Sequence, residues 1–347
     1  MIKKLAAYIG EYKKTSILTP VFVSLEVVME VLIPILMARL IDYGINEGNM
    51  SMILEMGLIL LGSAMLSLLF GVEAGKTVAI ASAGYAKNLR RAMYHKVQEY
   101  SFSNIDKFST ASIVTRLTTD VTNVQNAYQM ILRMAVRAPI MMIFSLAAAI
   151  TINASLSVYF LIAIPILGVG LYFIMTGVHP IFERVFRTYD KLNNVVQENL
   201  RGIRVVKSYV REDHEIGKFK SISRKIYEDF SHAEKVLAFS SPLMQLCMYS
   251  AMLFFSWFGA RLIVADGGNP AGFSTGKLMS LITYATMILM SLMMLAIVLV
   301  MITISRASAE RIAEILDEKS DLVSGEKDVR EVRDGEIRFE NVDFAYS

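Results

Sequence analysis

Six apolar runs, each near the length that crosses a lipid bilayer, dominate this sequence of 347 residues. A helix needs about 20 apolar residues to span the ~30 Å hydrocarbon core, where every backbone polar group has to be satisfied within the structure. The runs are 16–41, 53–75, 138–152, 156–178, 236–264 and 278–305, and the third is short unless it extends back through 127–137. Only 19% of the residues are charged, against about 25% in soluble proteins. The pattern predicts an all-α membrane protein with six transmembrane helices and long cytoplasmic extensions.

The connections between the runs differ in their content of Lys and Arg. Connections 43–51 and 153–155 have neither residue, and 265–277 has only Lys277. The stretches 76–116, 184–235 and 306–338 are rich in both. Because basic loops stay on the cytoplasmic side, we expect both termini to be cytoplasmic in a multi-pass protein of the cell membrane.

The two ends of the chain differ from its apolar middle. Residues 1–14 carry apolar residues at helical spacing between lysines, which predicts an amphipathic helix on the membrane surface; the alternative is an ordinary polar tail. We expect this start to be mature sequence, since it lacks the apolar core and cleavage site of a signal peptide. A charged linker, 317–334, follows the sixth helix. In 335–347, Ile337 and Phe339 alternate with polar residues, which predicts a strand that opens a soluble domain.

A polar stretch, 197–215, lies midway between the fourth and fifth runs. From 182 to 235 there is no Pro and there are only two Gly, so helix is expected to continue well beyond the bilayer. One helix over 156–208 would be about 80 Å long and would reach roughly 45 Å past the hydrocarbon. We interpret the stretch as a docking point for a partner.

Four segments resemble the transmembrane half of an ATP-binding cassette (ABC) exporter of the bacterial multidrug type. Segments 102–108 and 114–121 are similar to its first intracellular loop, 198–209 to its second, 309–312 to the exit of helix 6, and 335–347 to the first strand of its nucleotide-binding domain. Ala111 stands where many members have Gly. The resemblance divides the chain into an elbow helix (1–14), a six-helix transmembrane domain (15–316), a linker (317–334) and the start of a truncated nucleotide-binding domain (335–347).

The resemblance implies partners and roles for particular residues. ATP and Mg²⁺ would be bound by the nucleotide-binding domain, with Tyr346 stacking on adenine. The two loops would couple nucleotide-binding domains to the membrane helices through Asn104, Asp106, Phe108, Arg204, Lys207, Tyr209 and Arg211. Tyr209 with a charged rim suits an interface anchor; a solvated charged turn is the alternative. The expected partner is a second half-transporter, with a heterodimer slightly favoured, and no nucleic acid is expected.

A phosphate-binding loop of the form Gly-x-x-x-x-Gly-Lys-Ser/Thr is missing from the sequence. Gly75-Lys76-Thr77 matches the last three residues of this motif, but Phe70 stands where its first glycine is required. These 347 residues are therefore not expected to hydrolyse ATP, and neither catalytic residues nor a metal site is predicted.

Two acidic residues, Glu26 and Glu30, lie one turn apart within the first apolar run. Intramembrane acids are costly and should face protein or a wet cavity. They could bind cationic substrates, or pair with Arg137 in the third helix. The depth of Arg137 matches Glu26, whereas Glu30 is expected to lack an arginine at its level and is the better candidate for substrate.

Methionines line one face of the sixth run by 3-4-3-4 spacing: Met287, Met290, Met294 and Met301, with Ile297 between them. Methionine suits surfaces that accept many ligands, so this face is a candidate wall of a substrate cavity; helix packing or lipid contact is the alternative. The predicted function is ATP-driven export of amphipathic compounds, with drugs as first guess. Export of lipids or peptides, and a membrane regulator that moves no substrate, are the alternatives.

Overall fold

The computed structural model describes residues 2–266, 272–320 and 335–343, and this part of the chain is built from α-helices. In chain order they are α1 Ile2–Ala7, α2 Lys13–Arg39, α3 Met50–Gln98, α4 Phe102–Phe108, α5 Thr110–Thr115, α6 Val121–Met130, α7 Val136–Ile152, α8 Ala154–Arg201, α9 Ile203–Ser208, α10 Glu212–Leu237, α11 Ser240–Ala265 and α12 Thr275–Asp317. A 3₁₀ turn, Gly10–Tyr12, precedes α2, and π-helical segments occupy Leu40–Ile45, Arg116–Asp120 and Ile131–Ala135.

These segments join into six helices that are long and apolar enough to cross a membrane, which confirms the predicted fold. Membrane helices 1 to 6 are Gly10–Ile45, Met50–Gln98, Thr110–Ile152, Ala154–Arg201, Glu212–Ala265 and Thr275–Asp317. The third does extend back through 127–137, as far as Thr110. The fourth runs without interruption for 48 residues, about 72 Å at 1.5 Å per residue. It ends at Arg201, seven residues before the predicted end at 208, with Gly202 as its C-cap.

The main apolar core lies where membrane helices 1, 3, 4, 5 and 6 meet, around the fully buried side chains of Phe160, Phe255 and Tyr284. Within it, two side chains of membrane helix 6 donate hydrogen bonds to the backbone of membrane helix 1. The Tyr284 hydroxyl reaches the Val31 carbonyl at 2.6 Å, and the Ser280 hydroxyl reaches the Pro34 carbonyl at 2.6 Å. Because the Tyr284 hydroxyl would otherwise be unpaired in an apolar core, its bond fixes the register of the two helices. The Ser280 hydroxyl also has an acceptor in its own helix, the Gly276 carbonyl at 3.1 Å.

A second core lies at the end of the bundle where the Lys- and Arg-rich extensions gather, here called the basic end and predicted to be cytoplasmic. It joins membrane helices 2, 3 and 6 to α4 and to the N-terminal helix α1. Leu5 of α1 is buried in it, and Lys4 pairs with Asp317 at 2.8 Å. Within the range predicted for the elbow helix, 1–14, the structure has the short helix α1, which packs Leu5 against protein.

The predicted strand in 335–347 is not shown. The described residues 335–343 have no regular secondary structure, since a strand is defined by its hydrogen bonds to a neighbouring strand and the described part of the chain offers none. Tyr346 and linker residues 321–334 lie outside the described residues.

Candidate functional site

The turn between membrane helices 4 and 5 is an ordered structure closed by a helix cap. The Arg211 amide donates to the Val206 carbonyl at 3.0 Å, and the Val210 amide donates to the Lys207 carbonyl at 3.3 Å. This pair of bonds is a Schellman motif, in which the residue after the C-cap takes a left-handed conformation and is usually Gly. Here it is Val210, with φ of 50°. The cap fixes α9 at the far end of the extension that membrane helices 4 and 5 form beyond their apolar parts.

Tyr209 and Val210 project from this tip. Tyr209 is 75% exposed and Val210 is 81% exposed. Of the predicted rim, Arg204 and Arg211 are exposed, and Lys207 pairs with Glu212 at 2.9 Å. An apolar pair with a charged border has the composition of an interface anchor. Sequence reasoning missed Val210, whose exposure follows from the cap geometry.

The first loop differs from its prediction at two residues. Asn104 is only 3% exposed and Phe108 is buried, so neither is free to face a separate domain. Asn104 is the third residue of a capping box with Ser101, and its side-chain oxygen accepts from the Ser101 amide at 3.1 Å. The Phe108 ring packs on Tyr100, with 5.9 Å between centroids, and beneath the Arg116 guanidinium. Both residues are structural within this chain. Asp106, predicted with them, is exposed.

The exposed aromatic of the first loop is instead Phe102, at 84% exposure the first residue of α4. The pattern Ser101-x-x-Asn104 could have found it, because a capping box turns its third residue back toward the start of the helix. Phe102 and Tyr209 thus place one exposed ring at each loop of the basic end.

The last turns of membrane helix 6 are bound to the first loop by several polar contacts. The Arg116 guanidinium donates to the Arg311 carbonyl at 2.7 Å and pairs with Glu314 at 2.8 Å. Arg311 in turn pairs with the buried Asp120 through two bonds of 2.7 and 2.5 Å. The Tyr100 hydroxyl donates to the Ile315 carbonyl at 2.7 Å. Burial raises the pKa of Tyr100 to about 12, with Glu318 adding to the rise and Arg116 opposing it, so the hydroxyl keeps its proton across the physiological range.

Inside the membrane bundle, Arg137 bridges both acidic residues of membrane helix 1. Its Nη1 lies 2.7 Å from Glu26, and its Nη2 lies 2.7 and 2.6 Å from the two oxygens of Glu30. The expectation that Glu30 lacks an arginine at its level is therefore wrong. The guanidinium is a planar fork of five donors, and its width lets one arginine serve two carboxylates a helical turn apart.

The two carboxylates of this triad differ in their surroundings. Oε2 of Glu26 is buried and has no hydrogen-bond partner within the described residues. Membrane helix 2 approaches closely here, because a Cβ on Gly71 would lie 3.2 Å from Oε1 of Glu26. Both oxygens of Glu30 are bonded, and its side chain is the more exposed of the two. The triad thus contains two carboxyl groups and one guanidinium.

The methionines on one face of membrane helix 6 differ in their burial. Met287 packs against the main core, with its sulfur 3.9 Å from the Ser145 hydroxyl. Met294 is half-buried, and Met290 and Met301 are exposed. These three remain available to line a cavity, to meet lipid or to contact a second chain.

Comparison with known proteins agrees with this architecture. The family described as ABC transporter transmembrane region matches residues 16–292. Relatives include YfiB of Bacillus subtilis (strain 168), an uncharacterized ABC transporter ATP-binding protein that is 28% identical over 99% of this chain and 59% of its own length. Rv1273c of Mycobacterium tuberculosis (strain ATCC 25618 / H37Rv), of the same description, is 29% identical over 82% of this chain and 48% of its own length.

A third relative is named for a substrate. The ATP-dependent lipid A-core flippase of Pseudoalteromonas translucida (strain TAC 125) is 24% identical over 99% of this chain and 58% of its own length. The chain thus spans about half to three-fifths of the length of these relatives. The family match covers most of the chain and includes membrane helices 2 to 5 whole, most of membrane helix 1 and part of membrane helix 6. The chain belongs to the ABC transporter transmembrane region family.

Proposed function

We propose that the chain is the membrane half of an ATP-driven exporter that moves amphipathic compounds, drugs among them, out of the cytoplasm or the inner leaflet. ATP and Mg²⁺ would be bound by a nucleotide-binding domain in the further length that its relatives have, with Tyr346 as the adenine platform. The complete transporter would be a dimer with a second half-transporter, and a heterodimer is slightly favoured. Both termini would be cytoplasmic, in the cell membrane of a bacterium.

The observation that carries this proposal is the tip of the second loop. A rigid cap holds an exposed Tyr209 and Val210 far from the apolar part of the bundle, bordered by Arg204, Lys207 and Arg211. A 48-residue helix that ends in an ordered apolar tip suits a docking site placed far from the apolar core. A nucleotide-binding domain that docks there could pull on membrane helices 4 and 5 together.

The test is the substitution Tyr209→Ala in the full-length transporter, reconstituted in vesicles. ATP binding should stay intact, while substrate-stimulated ATP hydrolysis and transport fall together, since a truncated interface anchor typically costs about 2 kcal/mol or more. Tyr209→Phe keeps the ring and serves as the matched control. Unchanged transport in Tyr209→Ala would refute the docking role.

Lipid export is the second candidate, because one relative is named as a lipid A-core flippase. The two candidates differ in what enters the bundle, for which Glu26, Glu30, Met290, Met294 and Met301 are the proposed lining, whereas Met287 packs against the main core. If Glu30 meets cationic substrates, Glu30→Gln should lower the transport of cations and spare neutral compounds. Equal loss of both would remove Glu30 from the cavity.

A further inference from the structure

The exit of membrane helix 6, meaning its last turn and the residues Glu318 and Lys319 that follow, is bound by side chains from a distant part of the same chain. The Asn104 amide donates to Oε1 of Glu318 at 3.0 Å and to the Lys319 carbonyl at 3.1 Å. Lys107 reaches both oxygens of Glu318, at 3.0 and 2.8 Å. These contacts join residues more than 200 positions apart at the point where the helix stops.

A helix ends with four carbonyl groups that lack intrahelical partners. In membrane helix 6 one of these, the Ile315 carbonyl, accepts the buried hydroxyl of Tyr100 at 2.7 Å. Glu318, the C-cap residue, has extended backbone angles and so begins the non-helical path beyond. The first loop therefore supplies the cap of this helix from another part of the fold.

The carboxylate of Glu318 is the centre of the arrangement. Its side chain is only 18% exposed, and both of its oxygens are bonded to α4. α4 itself is anchored in the basic-end core through Phe108, next to Ile312 and Ile315. A displacement of the chain after residue 320 would thus act on α4, and through it on membrane helices 2 and 3.

We propose that α4 is a strap that positions the exit of membrane helix 6 in cis, with Asn104 and Lys107 as positioning residues acting through Glu318. Docking of a separate domain onto α4 would use other side chains, because Asn104 is buried and Lys107 is engaged. Only the transport readout below depends on the proposed export function.

The direct test is hydrogen exchange in the full-length protein in lipid nanodiscs. Lys107→Glu and Asn104→Ala should each speed exchange of the amides in 312–320 by roughly tenfold, the factor expected for one lost charge-assisted hydrogen bond. The reversed pair Lys107→Glu with Glu318→Lys should slow exchange relative to Lys107→Glu alone, because the ion pair between positions 107 and 318 is restored while the Asn104 amide still lacks its carboxylate acceptor. Asp106→Asn changes an exposed residue of the same helix and should leave 312–320 as in the parent, and exchange in 203–217 should stay constant throughout. Equal exchange in parent and single variants, or no recovery in the reversed pair, overturns the strap.

A second readout separates positioning from simple stabilisation. The number of substrate molecules moved per ATP hydrolysed should fall in Lys107→Glu and recover in the reversed pair. A ratio that stays constant while exchange changes would overturn the positioning role. If the parent hydrolyses ATP but moves no substrate, the export proposal fails, and the exchange result still decides whether the strap exists.

Discussion

Val210 combines an exposed β-branched side chain with a left-handed backbone, which costs roughly 1–2 kcal/mol for a residue other than Gly. Glycine would close the same Schellman motif without that cost. Strained residues persist where the surrounding structure overdetermines them, and they cluster at sites that bind or switch. The side chain of Val210, adjacent to Tyr209, is therefore a further candidate for contact with a docked domain.

Replacing Val210 with Gly should slow hydrogen exchange across 203–211, because relief of the left-handed strain stabilises the turn by about 1 kcal/mol. The matched control is Val205→Gly, an exposed interior position of the same short helix, where Gly should cost about 0.5–1 kcal/mol and speed exchange. Exchange that changes in the same direction in both variants would show that the conformation of Val210 carries no strain.

In the intramembrane triad of Glu26, Glu30 and Arg137, loss of the arginine should lower the stability more than loss of either carboxylate. Arg137→Gln leaves Glu26 and Glu30 without a counter-charge and should cost about 3–5 kcal/mol or more. Each single Glu→Gln change leaves one carboxylate paired with Arg137 and should cost less. Thermal unfolding in detergent measures the stability loss of each variant and so gives their order. Adding Glu30→Gln to Arg137→Gln should restore part of the loss.

The control for this series is Arg133→Gln, one turn earlier on the same helix, where no ion pair is found within the described part of the chain. A loss of stability in Arg137→Gln no larger than in this control or in Glu26→Gln would contradict the bridge.

Among elements, the contact between membrane helices 1 and 2 depends on a glycine. Gly71 lies against the Glu26 carboxyl, where a Cβ would be 3.2 Å from Oε1 and 3.3 Å from Cδ. Two other glycines of membrane helix 2, Gly57 and Gly62, have nothing within 4 Å of a Cβ. A Gly→Ala substitution therefore tests packing at Gly71 and helix propensity at Gly57 and Gly62.

Gly71→Ala should lower the thermal stability by about 1–3 kcal/mol, the usual cost of overpacking, because Glu26 is held in place by Arg137. Gly62→Ala should raise it by up to about 1 kcal/mol, since Ala favours helix over Gly. Equal effects on the two melting temperatures would mean that Glu26 moves freely and that the close approach is unimportant.

At the element scale the sequence predicts more than it does at the site. Apolar run lengths give all six membrane helices, and the extension of the third run back through 127–137 is confirmed. The burial of Asn104 and Phe108 against other parts of the fold was not predictable in the same way. Helical spacing describes one helix, whereas the partners of Asn104 lie 214 and 215 residues away at Glu318 and Lys319. The reach of Arg137 to Glu30 depends likewise on how two helices cross.

For the whole molecule, the main core and the basic-end core join different sets of elements. The main core joins membrane helices 1, 3, 4, 5 and 6, and the basic-end core joins the first loop to the exit of membrane helix 6. The second loop, with its exposed Tyr209 and Val210, stands apart from both. Force applied at the second loop would therefore reach membrane helices 4 and 5 first. Force along the chain beyond residue 320 would reach membrane helix 6 and, through α4, membrane helices 2 and 3.

The most direct test of the central claim is ATP-dependent transport by the full-length transporter, with its partner half, in inside-out vesicles. We predict that ATP drives accumulation of an amphipathic dye or a labelled lipid inside the vesicles, that a non-hydrolysable ATP analogue does not, and that Tyr209→Ala abolishes most of the signal while Tyr209→Phe retains it. ATP hydrolysis without movement of any compound in a panel of cationic, neutral and lipid substrates would contradict the account.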